Sequence, residues 1–220
     1  MSGWHSALAR IGRLLAVAAL AATAAGCGTL ARNPTPSDRV AEARIPGMPE
    51  VRAWAGSFAP AMERDFVLSF EQESRADFPI GADGVVVYPH LAISGGGANG
   101  AFGAGFLNGW TMTGKRPVFK MVTGVSTGAL MAPFAFLGPE YDDALREFYT
   151  TTSTRDVFRI GSFLGLVGQV LGGDSLADIG PLKQLIARHV DDRLLANVAA
   201  AHRQGRRLYV GTADLDAQMF

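Results

Sequence analysis

The sequence contains few of the residues that mark several common classes of protein. Its 220 residues include one cysteine and four histidines, and 20 basic residues balance 20 acidic ones. A single cysteine excludes an internal disulfide framework and a cysteine-rich metal site. The balanced charge provides no bulk attraction to nucleic acid. Because 48 % of the residues are apolar, the chain can bury a core and is not a disordered protein.

The amino terminus has the features of an export signal. Two arginines and no acidic residue precede an apolar run at 14–25, which is shorter than the roughly 20 residues that a transmembrane helix needs. Small residues then lead into Cys27, so we predict a secretory signal peptide at residues 1–26. The segment Ala24–Cys27 resembles the lipobox of bacterial lipoproteins, which implies a lipidated cysteine and an exported, membrane-anchored protein of the bacterial envelope. A chance cysteine after an ordinary signal peptide is the alternative.

Two further segments precede the part of the chain that carries the motifs. Residues 27–56 contain four prolines and no apolar periodicity, which predicts a lipidated amino terminus followed by a tether. Residues 57–84 are predicted to form a helical extension, with a helix that starts near Ser57 and has Pro60 in its first turn. Its expected apolar stripe consists of Phe58, Met62, Phe66 and Phe70.

A strand, a glycine turn and a helix come next. Residues 85–94, VVVYPHLAIS, predict a buried parallel strand in which His90 is structural. The glycine-rich turn at 95–100 precedes a small-residue helix at 101–110, so several backbone N–H groups would point at one place and could bind an anion. The same pattern fits a dinucleotide site, but that site needs an acidic residue at the end of the next strand. The strand predicted at 118–123 contains Lys120 and no acid, which argues against a nucleotide.

The second strand leads into the pentapeptide Gly124-Val125-Ser126-Thr127-Gly128. A G-x-S-x-G between a strand and a helix is typical of a nucleophile elbow, in which a sharp turn exposes the serine hydroxyl. A tight turn with a serine cap is the alternative for the pentapeptide alone. A glycine nest after one strand, followed about 30 residues later by a serine elbow, is a more specific pattern than either motif.

The paired motifs resemble those of the patatin-like phospholipase family, in particular its bacterial lipoprotein members. The resemblance covers roughly residues 88–220 and is looser through 176–182 and 211–216. It implies a three-layer α/β fold, with a mainly parallel sheet and helices on both faces, in a domain at 85–220. It also implies a Ser–Asp dyad that hydrolyses acyl esters of lipids without a metal or cofactor. Many family members carry Arg or Lys where Asn99 stands here.

The resemblance and the backbone chemistry together give the expected site. Ser126 is the candidate nucleophile, and Gly124 and Gly128 form the elbow. A loop of five residues is the candidate oxyanion hole, whose backbone N–H groups would stabilise the negative charge of the tetrahedral intermediate: Gly95, Gly96, Gly97, Ala98 and Gly100.

No base for this nucleophile can be identified in the sequence. The family's aspartate lies in a D-G-G or D-G-A motif after the strand predicted at 206–212, whereas the Asp-Gly pair here is Asp83-Gly84, before the oxyanion loop. Asp214 and Asp216 are expected to be strand-end residues, and His189 and His202 surface residues. We expect a fold that is incomplete at its carboxyl end, with the catalytic aspartate beyond residue 220. The alternative is an inactive lipid-binding or scaffolding lipoprotein.

The remaining segments complete an alternation of strands and helices. Helices are predicted at 140–150, 181–190 and 192–202. The apolar segment at 157–171 is either a buried helix or a flexible cover over an acyl-chain pocket that could also bind a lipid interface.

Overall fold

A computed structural model describes residues 35–42, 44–150, 180–214 and 220. Its main elements in chain order are a 3-10 helix (Ser37–Glu42), α1 (Pro60–Glu71), β1 (His90–Ile93), α2 (Gly100–Met112), β2 (Met121–Val125), α3 (Thr127–Leu137), α4 (Asp142–Thr150), α5 (Gly180–His189), α6 (Asp192–Arg203) and β3 (Arg207–Gly211). Within these ranges, no helix has both the length and the apolar character needed to cross a membrane. The predicted signal peptide, Cys27, the segment 157–171 and Asp216 lie outside the described residues.

The three strands form an open parallel sheet in the order β1-β2-β3. Ile93 pairs with Gly124, and Val125 pairs with Gly211, so the carboxyl ends of all three strands meet at one edge of the sheet. Helices follow β1 and β2 in the chain, as expected where parallel strands need crossover connections. The parallel sheet with its helices confirms the α/β fold class predicted from the sequence.

Helix α3 forms the centre of the core. It contains no charged residue, and Met131, Phe134 and Phe136 are each at most 1 % exposed. Its last turn leaves carbonyl groups without partners inside the helix, and two guanidinium groups bind them: Arg116 donates to the carbonyl of Ala135, and Arg206 to that of Phe136. Positive charge at this end also complements the helix dipole, which stabilises the helix that begins directly after Ser126.

The strands differ from their predicted bounds. The prediction of a buried strand over 85–94 is wrong in its first half, because Val85 and Val87 are exposed and Val86 makes an isolated antiparallel bridge with Ile80. Pro89 has no N–H to donate to a ladder, and β1 starts only after it, at His90. The second strand begins and ends later than predicted, at Met121–Val125.

Two predictions about helices also need correction. Helix α1 begins at Pro60, which occupies its first turn as predicted, but Phe58 precedes the helix and is 79 % exposed, so it is not part of a buried stripe. His189 was expected on the surface, yet it is half-buried and its ring packs edge-on against Phe148 at 5.4 Å between centroids. The remaining predicted helices lie within two residues of α4, α5 and α6.

Buried charges attach α1 to the amino ends of the strands. Lys120, directly before β2, is fully buried and donates to the carbonyl of Ser69 at 2.8 Å and to Glu73 Oε2 at 2.9 Å. Arg207, at the start of β3, donates to Asp65 Oδ2 at 2.6 Å and to Gln72 Oε1 at 3.0 Å. These contacts join a helix that precedes the motif-bearing segment to the base of the sheet.

The carboxyl group of Glu73 is held in its charged form. Burial favours the neutral acid, but hydrogen bonds from Lys120 and Tyr88 and the positive charges of Lys120 and Arg75 outweigh burial, so the pKa of Glu73 lies below its ordinary value. The Tyr88 hydroxyl donates to Glu73 Oε1 at 2.7 Å, and this bond together with burial raises the pKa of Tyr88.

Candidate active site

Ser126 lies at the tip of a sharp turn between β2 and α3. Its φ of 53° and ψ of −124° make it the one non-glycine residue with positive φ among those that the structure describes. A side chain in this conformation is strained, and such strain concentrates at functional sites. Ser126 is exposed, and its backbone carbonyl accepts a hydrogen bond from the N–H of Ala129, in the first turn of α3, at 3.0 Å. This is the geometry of a nucleophile elbow.

The two glycines that flank Ser126 allow the elbow to close. A β-carbon added at Gly128 would lie 2.8 Å from both the carbonyl carbon of Ile93 and the carbonyl oxygen of Ser94. A β-carbon at Gly124 would lie 2.6 Å from the carbonyl carbon of Gly128. Because these neighbours are backbone atoms, they cannot move aside cheaply, so the turn requires glycine at both positions.

The glycine loop after β1 lies directly beside the serine. A β-carbon added at Gly95 would lie 2.9 Å from Ser126 Cβ and 3.4 Å from its Oγ. Gly96 and Gly97 have φ values of 156° and 54°, a region that residues with side chains rarely adopt. The structure therefore brings together the two motifs that the sequence separates by about 30 residues, and it gives a backbone reason for the glycines of the loop.

The backbone N–H groups of this loop differ in their hydrogen bonding. Within the described residues, the N–H groups of Gly95 and Gly96 make no hydrogen bond, and the loop from Gly95 to Ala98 is exposed. The N–H of Gly100, in contrast, is directed at the carbonyl oxygens of Gly97 and Ala98. The N–H of Gly100 is therefore occupied within the start of α2, whereas the N–H groups of Gly95 and Gly96 are available.

An apolar cavity of about 220 Å³ opens beside the nucleophile. Its floor and walls come from β1, the glycine loop, α2 and the start of α3, with Leu91, Ile93, Phe106 and Met131 among the lining side chains. None of the residues that line it carries a titratable side chain. Such a cavity suits an uncharged chain better than a polar or ionic ligand.

The structure engages Asp83 and His202 in contacts that do not involve Ser126. Asp83 accepts from the N–H of Val85 at 3.0 Å in a turn where Gly84 has a φ of 79°. His202 lies at the amino end of β3, where burial and the charge of Arg207 lower its pKa despite a neighbouring carboxylate. The Ser126 hydroxyl has no hydrogen-bond partner among the residues that the structure describes. Asp214 follows β3, as expected for a strand-end residue.

Sequence reasoning missed one polar contact at this site. Tyr149, on α4, binds Thr127, the residue after the nucleophile, through its hydroxyl. The sequence of α4 shows mixed charge around this tyrosine and no motif, so only the fold reveals its position. Burial raises the pKa of Tyr149, and the hydrogen bond with Thr127 partly offsets that effect.

Comparison with known proteins supplies the family. A family model described as patatin-like phospholipase matches residues 91–217, more than half of the chain. The chain therefore belongs to the patatin-like phospholipase family, a family of lipid acyl hydrolases, and this confirms the resemblance noted in the sequence. The comparison with curated proteins gave no match, and neither did the comparison with solved structures.

Proposed function

We propose that this protein hydrolyses carboxylic ester bonds of lipids, in the manner of a phospholipase A, with Ser126 as the nucleophile. The observation that carries the proposal is the strained, exposed serine packed against a glycine loop in which the N–H groups of Gly95 and Gly96 make no hydrogen bond within the described part of the chain. Acyl transfer requires a nucleophile and preorganised hydrogen-bond donors close to each other in space.

The reaction would proceed in two steps. Ser126 Oγ attacks the ester carbonyl as its proton passes to a base, and backbone N–H groups of the loop Gly95–Ala98 stabilise the oxyanion. Collapse of the tetrahedral intermediate releases the alcohol, with a proton, and leaves an acyl-enzyme. Water then attacks this ester, and the fatty acid and free serine are regenerated. Loss of one oxyanion donor typically costs about 3–4 kcal/mol of transition-state stabilisation.

The base in this proposal is an aspartate, as in the family's Ser–Asp dyad, and we assign it to a residue beyond the described ones. The cavity lining contains no carboxylate or imidazole, which supports this assignment. The same observation favours the second candidate function, an inactive lipid-binding or scaffolding protein, because a serine without a base loses a factor of roughly 10²–10⁴ in rate.

The apolar cavity supports a lipid as the substrate. The cavity is lined by Gly95, which packs against Ser126, and by Thr127, which follows Ser126 in the chain. An acyl chain could therefore enter the cavity while the ester carbonyl reaches Ser126. Phe102, which also lines the cavity, is 80 % exposed at its mouth. An acyl chain in this position would cover apolar surface that is otherwise exposed to water, which favours binding.

Hydrolysis of a soluble p-nitrophenyl fatty acid ester tests the proposal. Protein purified from its native coding sequence should hydrolyse the ester, and Ser126→Ala should lower kcat by about 10⁴-fold or more. The matched control is Ser57→Ala, an exposed serine outside the site, which should match the wild type. Ester binding without turnover in the wild type would favour the scaffolding function, and activity that survives Ser126→Ala would exclude this serine as the nucleophile.

We also propose that a lipid on Cys27 anchors the protein in the bacterial envelope. The support is the sequence pattern alone, in which an apolar run and small residues lead into this cysteine. A single acyl chain binds membranes only weakly, so stable anchoring requires more than one. Cys27→Ser should move the protein from the membrane fraction to the soluble fraction of fractionated cells. An unchanged distribution would contradict the anchor.

A further inference from the structure

The hydroxyl of Tyr149 is bonded to the residue that follows the nucleophile. It donates to the backbone carbonyl of Thr127 at 2.8 Å, and it lies 2.8 Å from Oγ1 of the same residue. With its own proton directed to the carbonyl, the tyrosine oxygen accepts the proton of the threonine hydroxyl. Thr127 is the first residue of α3, so both bonds act on the turn that holds Ser126.

The ring of Tyr149 also touches the element that carries the glycine loop. A β-carbon added at Gly100 would lie 2.5 Å from Cε1 of Tyr149 and 2.6 Å from Oγ1 of Thr127. Gly100 is the first residue of α2, directly after the 3-10 turn Gly97–Asn99. One side chain from α4 therefore contacts the beginnings of both helices that flank the site.

We infer that Tyr149 is a positioning residue that holds the glycine loop at the correct distance and angle from Ser126. This inference rests on the proposed function, because the alignment matters only if Ser126 attacks an ester while the loop binds the oxyanion. A donor that is displaced by a fraction of an ångström loses much of its effect on the transition state. The raised pKa of Tyr149 keeps its hydroxyl protonated and able to donate at neutral pH.

Tyr149→Phe separates this role from simple packing. The variant keeps the ring against Gly100 and removes only the hydroxyl and its two bonds to Thr127. The matched control is Tyr141→Phe, which removes a hydroxyl in the 3-10 turn between α3 and α4 that accepts from Asn197 Nδ2 at 2.6 Å. Each variant loses one half-buried hydroxyl, but only Tyr149 contacts the turn at the nucleophile.

The measurement is steady-state hydrolysis of the p-nitrophenyl ester, well below the melting temperature, with Tm recorded for each protein. We expect Tyr149→Phe to lower kcat by about tenfold with little change in KM, because the hydroxyl aligns reacting groups and does not bind substrate. Tyr141→Phe should keep the wild-type kcat, while the two variants have similar Tm values.

A second pair of variants tests whether the effect passes through Thr127. Thr127→Ser keeps the hydroxyl and should retain most of the activity. Thr127→Val removes one of the two bonds, because Tyr149 can still donate to the backbone carbonyl of residue 127, so it should lower kcat by less than Tyr149→Phe does. The two losses should not add in the double variant. Equal kcat values for Tyr149→Phe and Tyr141→Phe would overturn the positioning role while leaving the proposed function intact. A wild-type protein without hydrolysis would overturn both.

Discussion

At the carboxyl ends of β1 and β2 the chain places glycines and exposed serines, among them Ser126, whereas at the amino ends of β2 and β3 it places buried charged side chains. Lys120 and Arg207 are each at most 1 % exposed and bind α1 and the residues that directly follow it, while Ser126 and the glycine loop are open to solvent. The difference shows how one sheet serves two purposes. Its amino end is fixed by charge pairs, and its carboxyl end keeps backbone donors accessible.

The largest expected effect is at the amino end of the sheet. Lys120→Met should lower the free energy of unfolding by about 3–5 kcal/mol, because it removes one partner of a buried ion pair and leaves the Glu73 carboxyl group and the Ser69 carbonyl without the Lys120 amine. Urea denaturation measures this loss. Lys115→Met, at an exposed lysine nearby, should change stability by less than about 0.5 kcal/mol. Equal stabilities for the two variants would show that the buried pair does not hold α1 to the sheet.

The elbow should be the next most sensitive place. Gly128→Ala should destabilise the protein by about 1–3 kcal/mol, because its β-carbon would meet backbone atoms of Ile93 and Ser94. Gly109→Ala is the opposite case: no atom lies within 4 Å of its added β-carbon, so alanine should stabilise α2 by up to about 1 kcal/mol. Thermal unfolding of the two variants compares them, and a stabilising Gly128→Ala would contradict the close packing described for the elbow.

A smaller effect on stability, with a separate effect on activity, is expected in the glycine loop. Gly97→Ala and Gly56→Ala both introduce a side chain at positive φ with no steric contact, so each should cost about 1 kcal/mol of stability. Only Gly97 lies in the loop beside Ser126, so only Gly97→Ala should lower kcat. Ester hydrolysis and urea denaturation together test this, and a normal kcat for Gly97→Ala would remove that residue from the oxyanion hole.

The smallest expected effect is a decrease of the free energy of unfolding as the pH falls into the acid range. The pKa of Glu73 is lower in the folded protein than its ordinary value of 4.5, so the unfolded chain binds the proton more tightly. The stabilisation from this carboxylate is complete above about pH 4.5 and is lost as the pH falls through the folded pKa. Glu73→Gln should therefore be less stable than the wild type at neutral pH, and its unfolding free energy should fall less between pH 5 and 3. Parallel pH profiles would contradict the charged state assigned to Glu73.

The sequence predicted those parts of the molecule that carry a recognisable pattern of residues. The spacing of the glycines at 95–97, 124 and 128 around Ser126 already indicated an elbow and a nest, although the atoms that make glycine necessary at 95 and 128 come from the other motif. The order of strands and helices followed from apolar runs, which is why the α/β class was predictable. The bounds of the strands were not predicted correctly. Pro89, which marks the start of β1, is visible in the sequence, but the exposure of Val85 and Val87 depends on what packs beside them.

Contacts between distant parts of the chain were beyond the reach of the sequence. Lys120 falls within the apolar strand predicted at 118–123, but nothing in the sequence identifies its partner Glu73, which lies 47 residues earlier. Arg207 and Asp65 are 142 residues apart. Tyr149 carries no motif at all, and its role follows only from the meeting of α4 with the starts of α2 and α3. These contacts fix the sheet and the site in place, and they became visible only in the folded chain.

The central claim is that Ser126 is a reactive nucleophile held at an elbow beside an oxyanion hole. Treatment of the native protein with a fluorophosphonate, followed by peptide mapping in a mass spectrometer, tests it directly. We predict one phosphonylated residue, Ser126, with the adduct lost in Ser126→Ala and retained in Ser57→Ala. A native protein that acquires no adduct, or one whose adduct persists in Ser126→Ala, would contradict the claim.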